Sequence, residues 1–243
     1  MKAIVLTCDS YRPLTEHMIL QYHRLWPDHP FVFRIPYQNL DGPNSERREY
    51  IKAPGGTAND IPPSVLRLIA DVDDEEMVYW CADDKYPIQL ITDKIASFMV
   101  YASESADIGG LMFCRCRVTL ERPELALYSR EWVTPLGDTL LERRGWYQIW
   151  IHQFLRAKVL RYFFSEMPEY VASAKAMDDL KNDIIKLADH RLFVTKENFA
   201  VFGESTQYGR LTRNCYESIR KTAIELPPKY KRPGRKRITM GKL

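Results

Sequence analysis

No apolar run in this chain approaches the roughly 20 residues that span a bilayer, which argues against a membrane-spanning helix. The opening MKAIVLTCDSYRP reaches Asp9 before its apolar part is long enough for a secretory signal. Cysteine is sparse: Cys8, Cys81, Cys114, Cys116 and Cys215 make an odd number without framework spacing. The one close pair, CRC at 114–116, has the spacing of neither a CxxC redox motif nor a zinc knuckle. Reduced thiols in a cytoplasmic protein are therefore expected. No internal repeat is visible.

Charge is unevenly spread along the chain. The segment KYKRPGRKRITMGKL, residues 229–243, carries seven Lys and Arg and no Asp or Glu. Setting those seven apart from the chain's 35 basic residues leaves 28 against 32 acidic ones, a body near −4. A mildly acidic body disfavours a nucleic-acid binder. The basic stretch reads as a flexible tail, residues 227–243, able to touch anionic lipid headgroups at the inner face of a membrane.

What is present is the 45% apolar, 28% charged composition of a globular protein, with 243 residues to build one core. AIVLTC (3–8) and FVFRI (31–35) read as buried strands, and LTEHMILQYHRLWP (14–27) as a helix closed by Pro27. Residues 36–60 read as a long loop, 62–72 as a helix opened by proline, and EMVYWCA (76–82) as a central strand. PIQLITDKIASFMVYA (87–102) has helical spacing, and 106–120 reads as strand with a glycine bend. Strands alternating with helices imply an α/β fold with an open, mostly parallel sheet. Beyond it, 143–164 reads as one aromatic-rich helix, 170–190 as a second, 193–204 as a hairpin and 211–226 as a last helix. The expected organisation is thus an α/β half (1–120), a helical half of the same domain (121–226) and the tail.

The central strand runs straight into Asp83 and Asp84, then Lys85 and Tyr86. Ligands of open α/β sheets bind at the carboxyl ends of strands, and Asp9 follows the first strand in the same way. Adjacent carboxylates repel, so ionising both calls for a cation or for hydrogen-bond donors. Mg²⁺ or Mn²⁺ bridging nucleotide phosphates would fit. Asp84 reads equally well as the cap of a helix opening at Pro87, and Asp9 as ordinary turn chemistry.

IVLTCDSYRPLTEHMILQYHRLWPDHPFVFRI resembles the opening of small bacterial and phage-type nucleotide-sugar glycosyltransferases of the GT-A fold, and SVLRLIADVDDEEMVYWCADDKYP resembles their approach to a DD or DxD pair. GWYQIWIHQFL is similar to the aromatic segment of their acceptor side, and YGRLTRNCYESIRK to their closing Gly-basic-Leu segment. The patches cover most of 1–225 and not the tail. The resemblance implies a GT-A-like sheet with a helical acceptor-side extension, transferring sugar from a nucleotide-sugar donor to a glycan or lipid-linked acceptor. It implies a donor site of Asp9, Tyr11, Arg12, Asp83, Asp84, Lys85 and Arg210. Asp83 and Asp84 would hold a divalent metal (Mn or Mg), although a strict Asp-x-Asp is absent. A catalytic base is implied at Glu169, with Glu166 beside it; both read also as first-turn acids of the next helix.

Asp138 is a lesser candidate, more simply a turn residue, and Arg210 reads equally as a solvated hairpin arginine. His152 reads as an interior hydrogen-bonded histidine, and Trp146 and Trp150 as core. Two rivals stand: a nucleotidyltransferase, disfavoured because CDSYRPLTEH lacks a glycine-rich basic loop, and a non-enzymatic polyanion-binding module acting through the tail.

Overall fold

The computed structural model describes residues 1–243. Its first half follows the expected alternation. Strand β1 (Lys2–Leu6) leads through a 3-10 turn into helix α1 (Arg12–Leu25), then β2 (Val32–Tyr37), β3 (Arg48–Lys52), α2 (Ile61–Leu68) and β4 (Met77–Ala82). Pro13 sits in the first turn of α1, where its missing N–H costs nothing. All six residues of β4 are buried, as a strand covered on both faces requires. The long loop is shorter than expected, because Arg48–Lys52 pairs in parallel with β2 as an edge strand.

The second half departs further. After β4 come β5 (Lys85–Leu90), α3 (Thr92–Glu104), β6 (Gly110–Met112), α4 (Arg117–Glu121), α5 (Pro123–Ala126), β7 (Leu127–Val133), β8 (Thr139–Arg143), β9 (Gln153–Arg156) and α6 (Ala157–Ser165). There follow α7 (Ala174–Leu180), β10 (Leu192–Thr195), β11 (Ala200–Glu204), β12 (Thr206–Gln207), β13 (Arg210–Leu211), α8 (Arg213–Ile219) and β14 (Thr239–Met240). Residues 121–226, expected to be helical, contribute four strands to the main sheet. The helix expected over 143–164 is strand, turn, strand and a short helix, because the buried run 153–156 carries no period that tells helix from strand. The helix expected at 170–190 is confined to Ala174–Leu180, and that at 211–226 to Arg213–Ile219. The strands expected as a hairpin, β10 and β11, lie in different sheets.

The main sheet runs β3-β2-β1-β4-β9-β6-β10-β8-β7. Its first four strands are parallel, and β9 and β8 run against the rest. The fold is therefore α/β, an open and mostly parallel sheet flanked by helices. Alternation along the strands divides the core. Ala3, Val5, Tyr79 and Cys81 face α1, α3 and α8, whereas Ile4, Val78 and Trp80 face α2 and α6. A second sheet, β14-β11-β5, stands beside the first.

That small sheet corrects two expectations. The helix expected from Pro87 begins at Thr92, and Pro87 lies in β5 opposite a register shift in β11, a place where its missing N–H is tolerated. The basic segment, expected to be flexible, lies on the body. Tyr230 is buried, Gly234 N–H donates to the Leu211 carbonyl (2.8 Å), and β14 pairs with β11.

Candidate active site

A cavity of about 1650 Å³ opens where β1 and β4 end. Thr7, Cys8 and Tyr11 line it after β1, and Asp83, Asp84 and Lys85 after β4. Other walls come from 54–61, 115–121, 147–151, 172–182 and 238–242.

The acids form the corner between the two sheets, so Asp84 caps no helix. Asp83 N–H donates to the Leu6 carbonyl (3.1 Å) and Ser205 N–H to the Asp84 carbonyl (2.6 Å). The Asp83 carboxyl is buried and takes the Thr7 hydroxyl at 2.5 Å. Burial, with Asp84 alongside, pushes its pKa up to about 8 against the opposing pull of Thr7 and Lys85. Asp84 offers Oδ2 to the Lys85 ammonium (2.6 Å), while its buried Oδ1 has no partner in the protein. Lys85 is buried and also contacts Glu204 on β11 at 3.2 Å. Burial works against its charge, but the two flanking carboxylates hold its pKa above the ordinary value. Burial raises the Glu204 carboxyl in turn, against the pull of Lys85.

The corner is braced from inside. His152 Nε2 lies 3.0 Å from the Ala82 carbonyl and its Nδ1 2.6 Å from the Tyr22 hydroxyl, itself 2.7 Å from the Tyr79 hydroxyl. A carbonyl only accepts, so Nε2 carries the proton, Tyr22 donates to Nδ1, and Tyr79 donates to Tyr22. Burial lowers the imidazole pKa to about 4, which keeps it neutral. His152 is thus the interior histidine expected, placed immediately before β9 instead of on a helix.

The other expected residues are distributed unevenly. Tyr11 lines the cavity, and burial followed by the charge of Asp83 raises its hydroxyl pKa. Asp9 turns away: its carboxylate accepts from the amides of Gln38 (3.1 Å), Asn39 (2.6 Å) and Leu40 (2.9 Å) and pairs with Arg12 at 3.5 Å. Burial alone would raise its pKa, but those amides bring it below the ordinary range. Arg12 stacks on Tyr50 and donates to the Leu40 carbonyl. Both residues therefore support the 38–40 loop and lie outside the cavity lining. Arg210 is exposed on the β12–β13 hairpin, and Glu166 and Glu169 are exposed beyond α6; none lines the cavity. Asp138 sits in the β7–β8 turn, paired with Lys94 at 2.9 Å. Trp146 is core, whereas Trp150 lines the cavity and donates to Asp178 Oδ1 at 2.7 Å.

Several cavity residues escaped the sequence reading: Thr7, Arg115, Gln148, Asp178, Glu204 and Lys242. Thr7 was within reach, two residues before Asp9 on the same strand exit. Glu204 was not, because its approach to Lys85 depends on the β5–β11 register.

No three His, Cys, Asp or Glu side chains are grouped to enclose a metal with protein ligands alone. The free Oδ1 of Asp84 and the buried Asp83 carboxyl do suit a cation that takes its remaining ligands from phosphate and water, the habit of Mg²⁺.

No protein-family model and no curated protein matches this chain. Among solved structures it is similar to the galactosyltransferase LgtC, crystallised with donor and acceptor sugar analogues, at 12% identity over 78% of this chain and 68% of that one, with a TM-score of 0.38. It is similar to residues 1–349 of S. aureus TarS at 14% identity, covering 82% of this chain and 59% of that one, with a TM-score of 0.47. It is also similar to the Francisella tularensis 2-C-methyl-D-erythritol 4-phosphate cytidylyltransferase at 13% identity, covering 80% and 90%, with a TM-score of 0.38.

Proposed function

We propose that the protein is a nucleotide-sugar-dependent glycosyltransferase of GT-A type, with its donor diphosphate held at the Asp83-Asp84-Lys85 corner. The observation that carries this reading is the unpartnered Oδ1 of Asp84 beside a carboxyl of raised pKa, at the carboxyl ends of parallel strands. Asp84 and Asp83 would hold one Mg²⁺ or Mn²⁺, which would supply charge neutralisation for the departing nucleoside diphosphate. Lys85 fixes the Asp84 carboxylate through Oδ2, so that Oδ1 is aimed and not free to rotate. Tyr11 offers its ring to the nucleoside. Asp9 and Arg12 act at one remove, by shaping the 38–40 loop. On the acceptor side, Asp178 and Glu121 are carboxylates of the cavity wall, which Glu166 and Glu169 do not line. The acceptor is a glycan or lipid-linked glycan, with exposed Lys231, Arg232, Arg235 and Lys236 available to anionic headgroups.

A nucleotidyltransferase is the second reading. Against it, residues 7–11 between β1 and α1 contain neither glycine nor lysine, so no phosphate-cradling loop stands there. The two readings give different products. Incubation with nucleotide sugars and Mn²⁺ should release nucleoside diphosphate; release of pyrophosphate from nucleoside triphosphates, with none from nucleotide sugars, would reverse the choice.

A further inference from the structure

Two residues other than glycine occupy the left-handed backbone region: Tyr208 (φ 51°) and Gln148 (φ 63°). Tyr208 is explained by its place at the tip of the β12–β13 hairpin, next to Gly209. Gln148 has no such excuse. It lies between β8 and β9 and lines the cavity beside Tyr147 and Trp150. Glycine would hold that backbone without strain, yet the chain places a long polar side chain there.

Two fully buried polar side chains enforce the conformation. Arg143 donates from Nη2 to the Tyr147 carbonyl (2.5 Å) and from Nη1 to Gln153 Oε1 (2.6 Å). Gln153 Nε2 in turn reaches the carbonyls of Gln148 (3.2 Å), Ile149 (3.1 Å) and Ile151 (2.9 Å). Arg143 has no carboxylate partner and leaves Nε unpaired, and burial lowers its pKa to about 10. A buried cation without a counter-charge is costly. Its visible service is to clamp the 147–151 turn.

The clamp aims the Gln148 amide. The Thr119 hydroxyl lies 3.2 Å from Gln148 Oε1. Whichever way the amide is turned, Thr119 occupies one of its atoms and at least one N–H remains for a ligand. Tyr147, Trp150 and Val118 lie beside it on this wall, with the charged Arg115, Arg117 and Glu121 on the same 115–121 segment. A neutral group that both donates and accepts suits sugar hydroxyls, which do the same.

We infer that Gln148 is a specificity-determining residue, whose amide reads the hydroxyls of the transferred sugar while the Asp83-Asp84-Lys85 corner holds the diphosphate. The inference rests on the glycosyltransferase reading and divides its cavity into two subsites.

The test compares wild type, Gln148→Gly and Gln148→Asn in calorimetric titrations with Mn²⁺. The ligands are UDP, GDP, UDP-glucose, UDP-galactose, UDP-N-acetylglucosamine and GDP-mannose. Glycine relieves the backbone and removes the amide; asparagine tolerates the backbone and keeps a shortened amide. The expected result is a Gln148→Gly protein that melts no lower than wild type and binds the bare diphosphate unchanged, but binds the cognate nucleotide sugar about tenfold or more weakly. Gln148→Asn should fall between the two. Equal binding of the sugar nucleotide by Gln148→Gly and wild type, or an equal loss of the bare diphosphate, would overturn the inference and leave the donor reading intact. Wild type that binds none of the six ligands would overturn both.

Discussion

The two sides of the main sheet are built by different rules. Strands β3, β2, β1 and β4 are parallel, and β1 and β2 are joined by helix α1. From β9 onward the chain is woven: β9 enters between β4 and β6 against both, and β10 returns beside β6, with Leu192 opposite Gly110. The acid corner stands at the seam, since β4 has β1 on one side and β9 on the other. The regular side supplies rigid charge at 83–85. The woven side supplies the loops 115–121, 147–151 and 172–182 that shape the rest of the cavity. The 83–85 corner is thus a product of the regular side, whereas much of the remaining cavity wall comes from the woven one.

The largest expected effect breaks the charged side. Asp84→Asn removes the carboxylate with the free Oδ1, and kcat/KM for transfer should fall by about 10²–10³-fold. Asp84 is also one of the two counter-charges of the buried Lys85 ammonium, so the variant should melt below wild type, with Glu204 keeping the rest of the pairing. Steady-state assay and a thermal melt check the two halves of this statement.

Next comes the brace between the two sides. His152→Ala opens a cavity, strands the Ala82 carbonyl and leaves the Tyr22 hydroxyl with Tyr79 alone. A loss of about 2–4 kcal/mol follows, which lowers the melting temperature on the order of 10 °C in a chain of this size. A melt within a degree or two of wild type would show that the seam needs no brace.

A smaller effect concerns pH. Unfolded Asp83 gives up its proton near the ordinary value of about 3.9, but the folded carboxyl holds it to about 8. Between those values unfolding releases a proton, so this group's contribution to stability declines as pH rises from about 4 to about 8 and is level above that. His152, with its folded pKa lowered to about 4, works in the opposite sense and loses stability as pH falls below its ordinary value. The difference between wild type and Asp83→Asn isolates the carboxyl. The variant should gain on wild type steadily from pH 4 to pH 8 in urea titrations, and saturating Mn²⁺ should shrink that gain by favouring the carboxylate.

The smallest expected effects lie at exposed residues outside the cavity. Glu166→Gln, Glu169→Gln and Arg210→Ala should each change kcat/KM by less than about threefold. A drop of two orders of magnitude at Glu169 would move the acceptor side of the site away from Asp178.

The same contrast explains what was legible in the sequence. Continuous apolar runs bounded by turn residues revealed β1, β2 and β4, and paired acids after β4 revealed the corner. Both signals are local. The edge strand Arg48–Lys52 escaped because its residues are half-exposed and polar. Pro87 pointed to a helix because helix starts and bulged strands both tolerate a missing N–H, and only the β11 partner decides between them. The aromatic run 146–154 has no single period, because a left-handed turn at Gln148 separates it from a strand buried on both faces. Asp9 was legible as an acid at a strand end but not as the anchor of the 38–40 loop, since its partners are backbone amides 29 to 31 residues away. Lys85 and Glu204 meet across 119 residues, a distance at which no spacing rule operates.

The central claim is that the corner at 83–85 binds a nucleoside diphosphate together with a divalent cation. Calorimetric titration of UDP and GDP into wild type and Asp84→Asn, each with and without Mn²⁺, tests it most directly. One of the two nucleotides should bind wild type, more tightly with Mn²⁺ than without, and Asp84→Asn should lose the Mn²⁺-dependent gain. Binding that is indifferent to both Mn²⁺ and Asp84 would contradict the claim.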